Sequence, residues 1–121
     1  MARILAIDDE PGLLEILVDV LETDGHAVDT ADGGATALAR VAAAAYDLVV
    51  SDVQMPGLDG LTLYDALVAA HPRLARRYIL VTGSGLTSAV RGFVERTGVR
   101  VLHKPYDLRT VQTAVREVLG A

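Results

Sequence analysis

A single doubly wound α/β domain, with five parallel strands and helices on both faces, is the fold this sequence predicts, on three observations. Strand-length apolar runs alternate with helical apolar spacing from one end of the chain to the other. Helix-sized crossovers join the runs; these impose parallel pairing, and their right-handedness puts helices on both faces. Four runs also end in polar residues: Ile4–Ile7 in Asp8 and Asp9, Leu48–Ser51 in Asp52, Tyr78–Val81 in Thr82, and Val99–His103 in Lys104. Parallel strands would gather these residues at one sheet edge, where open α/β sheets place their chemistry.

The first strand is Arg3 to Ile7, followed by a helix from about Pro11, a residue suited to a first helical turn. Leu13, Leu14, Leu17, Val18 and Leu21 give that helix one apolar stripe, and Gly25 can take the left-handed conformation that ends it. His26 to Ala31 reads as the second strand, and Asp32 as the cap of a helix running to about Ala44. Leu48 to Ser51 is apolar enough for a central strand covered on both faces. Gln54 to Gly57 is a loop, and a third helix covers roughly Leu61 to Ala70 before Pro72 blocks it. Tyr78 to Val81 is the fourth strand and Gly83-Ser84-Gly85 a loop. Val90, Phe93 and Val94 mark a fourth helix stopping at Gly98. Arg100 to His103 is the fifth strand, and Asp107 caps a last helix with Leu108, Val111, Val115 and Val118 on one face.

Composition narrows the function. At 121 residues the chain has the length of one domain, and at 4% aromatic its interior must be filled by aliphatic side chains. A net charge of −5 gives no attraction to a phosphate backbone, so direct nucleic-acid binding is not expected. Absence of cysteine excludes disulfides, thiolate metal sites and thiol nucleophiles. No apolar stretch suits a membrane span, and Asp8 comes too early for a signal peptide, so a cytoplasmic domain is expected.

Three carboxylates at one edge, from Asp8, Asp9 and Asp52, repel one another and should raise at least one pKa. A hard divalent cation such as Mg²⁺ relieves that conflict through carboxylate and carbonyl oxygens. Each residue taken alone has a plainer reading, as helix cap, strand end or solvated lysine; those readings leave the convergence unexplained. Lys104 supplies an opposing ammonium, and Thr82 a hydroxyl able to bond a phosphoryl oxygen. Gly83 leaves room for a group close to the backbone. Asp52, already ionised, is the candidate nucleophile for phosphorus.

In order, Asp8-Asp9-Glu10-Pro11, Asp52 to Gly60, Val81-Thr82-Gly83 and Lys104-Pro105 resemble the motifs of the receiver domain of bacterial response regulators, over essentially the whole chain. The resemblance implies a flavodoxin-like fold of strand order 2-1-3-4-5 and one receiver domain over residues 1–121. It implies phosphorylation of Asp52 by a phosphohistidine on a histidine kinase or histidine phosphotransfer protein. Asp9, Asp52 and the backbone carbonyl of Gln54 would ligate Mg²⁺, Asp8 acting through a bound water, while Thr82 and Lys104 grip the phosphoryl group. The switched surface would be the fourth helix, fifth strand and fifth helix, a face that would also serve a weak homodimer. The positions of Gln54 and Ser84 would influence the lifetime of the acyl phosphate. Val101 departs from the pattern, because receivers usually carry Tyr or Phe three residues before the lysine; Tyr106 would simply pack its loop. Leu63 to Gly83 also looks similar to receivers at the C-termini of hybrid sensor kinases.

Two other classes use related chemistry. An aspartate-nucleophile phosphatase of small phosphoesters would usually carry an acid where Gln54 stands. A flavodoxin-type cofactor binder would need a first loop that cradles phosphate, and Asp8-Asp9-Glu10 repels one.

Overall fold

In the computed structural model, which describes residues 2–83 and 85–120, five strands form one parallel sheet of order β2-β1-β3-β4-β5. The strands are β1 (Arg3–Ile7), β2 (Ala27–Ala31), β3 (Leu48–Asp52), β4 (Tyr78–Thr82) and β5 (Arg100–His103). Between and after them run α1 (Pro11–Thr23), α2 (Gly34–Ala43), α3 (Gly60–Ala70), α4 (Ser88–Thr97) and α5 (Leu108–Val118), with an extra helical turn, Pro72–Ala75, ahead of β4. Fold class and strand order are those expected.

Strand alternation divides the core in two. Ile4, Ala6, Leu48, Val50, Ile79 and Val81 face α1 and α5, meeting Leu17, Leu21, Val111 and Val115. Leu5, Ile7, Val49 and Leu80 face the other way, against Ala37 and Val41 of α2, Leu63 and Leu67 of α3, and Val90 and Phe93 of α4. Every residue of β3 and β4 is buried, as a doubly covered parallel strand requires. Burying each Leu or Ile contributes about 1.5–3 kcal/mol.

Several local expectations need correction. Asp32 does not cap α2: Gly33 holds the cap position, and the Asp32 carboxylate accepts from the Thr36 hydroxyl at 3.0 Å. Pro72 does end α3, yet it opens the extra turn, because a proline at a first helical position loses no hydrogen bond. Leu108 is 52% exposed, so the buried face of α5 is Val111, Ala114 and Val115. In α1, Val20 is buried while Val18 is only half-buried. The glycine expectations hold: Gly25 has φ 90° past the end of α1, and Gly98 caps α4 at φ 70°. Asp107 caps α5 by accepting from the Thr110 N–H.

Candidate functional site

The parallel sheet brings the carboxyl ends of its four adjacent strands β1, β3, β4 and β5 to one edge. Ile7 pairs with Ser51, Asp52 with Val81, and Thr82 with His103. Asp8, Asp52, Thr82 and Lys104 thus stand on neighbouring rungs, and β1 lies at the point where the chain's crossovers change direction.

The lysine organises the site. Its Nζ donates to Asp8 Oδ2 at 3.0 Å and to Asp52 Oδ2 at 3.1 Å, with Glu10 Oε1 at 3.7 Å. Asp8 and Asp52 are only 5% and 7% exposed, so neither carboxylate can rely on bulk water and each needs a cation close by. The Lys104 N–H donates to the Thr82 carbonyl at 2.8 Å, which ties the start of the lysine loop to the end of β4. Thr82 is buried, and its hydroxyl donates to the Gly85 carbonyl at 3.1 Å. A Cβ on Gly83 would lie 3.6 Å from Lys104 Cδ, an ordinary contact, so Gly83 flanks the lysine stem without crowding it.

Electrostatics follow from this geometry. Burial pushes the Asp52 carboxyl above its ordinary range; the Lys104 hydrogen bond works against that rise, and repulsion from Asp8 adds to it. The expected rise is therefore present, but desolvation leads and like-charge repulsion is secondary. For Lys104, burial disfavours the ammonium, yet its bonds to Asp8 and Asp52 outweigh that and hold its pKa above the usual lysine value.

Among the described residues, the side-chain oxygens of Asp8, Asp9 and Glu10 can approach within 4.8 Å of one another. Asp52 stands outside that group, its carboxylate engaged by Lys104. The residues expected to ligate metal form two clusters that share Asp8. An all-oxygen, strongly anionic donor set of this kind fits a hard divalent cation such as Mg²⁺. Asp9 is exposed and borders an open hollow of about 520 Å³ with Gln54, Met55 and Thr87. Ser84 lies outside the described residues.

Two participants were not singled out from the sequence. Glu10 follows the acidic pair closely enough to reach Lys104, and it donates its N–H to Asp8 Oδ1 at 3.0 Å. Gly60, the first residue of α3, packs so tightly that a Cβ there would overlap the Asp52 carbonyl oxygen. Its N–H donates to Val53 O at 2.9 Å, and the Tyr78 hydroxyl donates to its carbonyl at 2.7 Å. A glycine at a helix start is the only sequence trace of that contact. Val101 is half-buried against the core containing Phe93, and Tyr106 packs on the opposite core beside β5, as its loop-filling role requires.

The family model described as "Response regulator receiver domain" matches residues 4–116. The response regulator protein FleR of Pseudomonas aeruginosa is 32% identical over 98% of this chain and 25% of that protein. The chain spans about a quarter of the length of the first curated relatives it matches. A receiver domain from Clostridium thermocellum superimposes with a TM-score of 0.88 at 27% identity, covering 98% of this chain and 94% of that one. The Vibrio cholerae chemotaxis protein CheY4 does so with 0.86 at 25% identity, covering 98% of both chains.

Proposed function

Since the chain belongs to the response regulator receiver family and is a receiver domain of two-component signalling, we propose that Asp52 accepts its phosphoryl group. The observation that supports this most is the Lys104 ammonium held between Asp8 and Asp52 at a nearly dry sheet edge. An Asp52 carboxylate oxygen attacks the phosphorus of a phosphohistidine on a histidine kinase or histidine phosphotransfer protein, in line with the P–N bond. The new O–P bond gives an acyl phosphate. The P–N bond breaks with its electron pair on the imidazole, which takes a proton from solvent.

As Asp52 becomes esterified it loses the charge that Lys104 balances, so the ammonium is released to pair with a phosphoryl oxygen while keeping Asp8. The Thr82 hydroxyl, one strand away, exchanges the Gly85 carbonyl for another phosphoryl oxygen. Asp9, Asp52 and the Gln54 carbonyl, with Asp8 through a water, would hold Mg²⁺, which supplies charge neutralisation for the acids and the phosphoryl oxygens. No other general base is needed. Residues 1–121 act as one receiver domain whose catalysis is confined to its own phosphorylation and dephosphorylation. Among the described residues no helix is long and apolar enough to cross a membrane, in keeping with a cytoplasmic phosphorelay.

The readout is a surface of α4, β5 and α5, where Leu108 lies exposed and Leu86 just before α4. The same face serves a weak homodimer. The phosphatase alternative lacks support: the family match is to receivers, and Gln54 stands where such an enzyme needs its acid. Incubation with acetyl phosphate and Mg²⁺, followed by intact-mass measurement, tests the proposal. A gain of one phosphoryl group, absent in Asp52→Asn, is expected; unchanged mass with Mg²⁺ demonstrably bound would overturn it.

A further inference from the structure

At the opposite end of the sheet from Asp52, the geometry points to a second, unassigned site: an oxyanion-binding hollow formed by Arg73, Arg76 and Arg77 for ligands of the polyphosphate class. The hollow measures about 550 Å³ and is walled by these three arginines with Tyr46, Asp47 and Leu74. In a chain of net charge −5, three of the ten arginines fall within five residues, and no acid stands between His71 and Tyr78. Solvated arginines at a strand entrance would be the plain explanation, but three features set these apart.

First, among the described residues none of the three makes an ion pair, whereas Arg3, Arg96, Arg100 and Arg116 each do; Arg40, Arg91 and Arg109 are also without one, but they lie far from one another in the chain. Second, the wall holds a single acid against three guanidinium groups, and Asp47 Oδ2 accepts the backbone Arg3 N–H at 2.8 Å. Third, the backbone carrying the guanidinium groups is fixed. The extra turn is held by Ala75 N–H to His71 O at 3.1 Å. The Arg77 N–H donates to Leu74 O, and its carbonyl accepts from Val49 in the sheet, both at 2.9 Å. Tyr46 is equally fixed, its hydroxyl donating to Asp29 at 2.6 Å with the Arg3 guanidinium 5.0 Å over its ring.

Guanidinium groups suit phosphate because their planar forks present paired N–H donors to paired oxygens. Three of them on a braced turn, facing a half-open hollow, favour a compact multivalent anion over an extended acidic peptide, whose carboxylates would spread beyond the cluster. This site is independent of the phosphoacceptor assignment. The acids at the far edge repel anions when no divalent cation is present.

The test is titration of the whole chain with inorganic pyrophosphate, free of divalent cations and at physiological salt. It is followed by calorimetry and by backbone and arginine side-chain NMR. Expected is saturable binding with shifts confined to residues 45–47 and 71–77, weakened at least tenfold in the R73Q/R76Q/R77Q triple variant and unchanged in Asp52→Asn. The single variant Arg76→Gln, read by the same shifts, covers the case of a poorly folded triple variant. A nucleoside triphosphate binding tenfold tighter, with Tyr46 ring shifts, identifies a nucleotide source; equal affinity identifies free phosphates. Non-saturating shifts, shifts elsewhere, undiminished binding in the variants, or equal affinity for an oligoglutamate peptide would overturn the proposal.

Discussion

Lys104 is the only lysine in the chain, and the site depends on where its ammonium rests. Replacing it with methionine leaves Asp8 and Asp52 nearly buried without their shared cation, the situation in which breaking a buried pair is most costly. Lys104→Met should therefore lower metal-free stability by roughly 3 kcal/mol, read as a shifted urea midpoint; an unshifted midpoint would contradict the pairing. Asp52 works in the other direction. Its folded-state pKa lies above the ordinary 3.8, so the fold holds its proton more tightly than the unfolded chain does. The stability this contributes is present below about that ordinary value and is lost as pH rises through the folded value. Asp52→Asn should thus raise the Tm of the metal-free protein at pH 7, the gain shrinking as pH falls toward 3.8; a lower Tm at pH 7 would contradict it. At this scale the convergence of Asp8, Asp52, Thr82 and Lys104 was legible, because strand ends in a parallel sheet must share an edge. What the sequence could not reveal is which acids the ammonium would choose. Asp8, Asp52 and Glu10 share it, while Asp9 faces the hollow.

At the scale of elements, the first turn of α3 braces the strand that ends in Asp52. Asp59 caps it by accepting from the Thr62 N–H at 2.8 Å, and Gly60 touches the Asp52 backbone where no side chain fits. Gly60→Ala should cost about 1–3 kcal/mol by overpacking and slow acetyl phosphate labelling by displacing Asp52. Gly83→Ala, which meets only ordinary contacts, serves as its control. Equal labelling rates in the two variants would show that the contact is immaterial. Helix existence was readable from apolar periodicity, since each buried stripe recurs at helical spacing. Helix ends were less so: Asp32 has the right chemistry for a cap, yet its carboxylate turns to the Thr36 hydroxyl. Pro72 signals both an end and a beginning, and sequence alone does not separate the two. The close approach of Gly60 to Asp52 arises from tertiary packing, for which no local pattern exists. Tyr64 contributes another such arrangement, meeting Tyr78 and Phe93 edge-on at 5.2 and 5.1 Å on the core where Val101 packs.

Across the whole molecule, the fold separates two charged clusters by the length of the strands: acids and ammonium at the carboxyl edge, arginines at the amino edge. The strand order, the two-sided core and the family membership agree with the pattern of five βα units. The central claim is narrower than family membership, namely that this edge makes Asp52, and no other acid, the phosphoacceptor. Borohydride reduction of acetyl phosphate-treated protein converts an aspartyl phosphate to homoserine, and peptide mass mapping then locates it. Homoserine at position 52 alone is the predicted result; homoserine at Asp8 or Asp9, or label surviving in Asp52→Asn, would contradict the account.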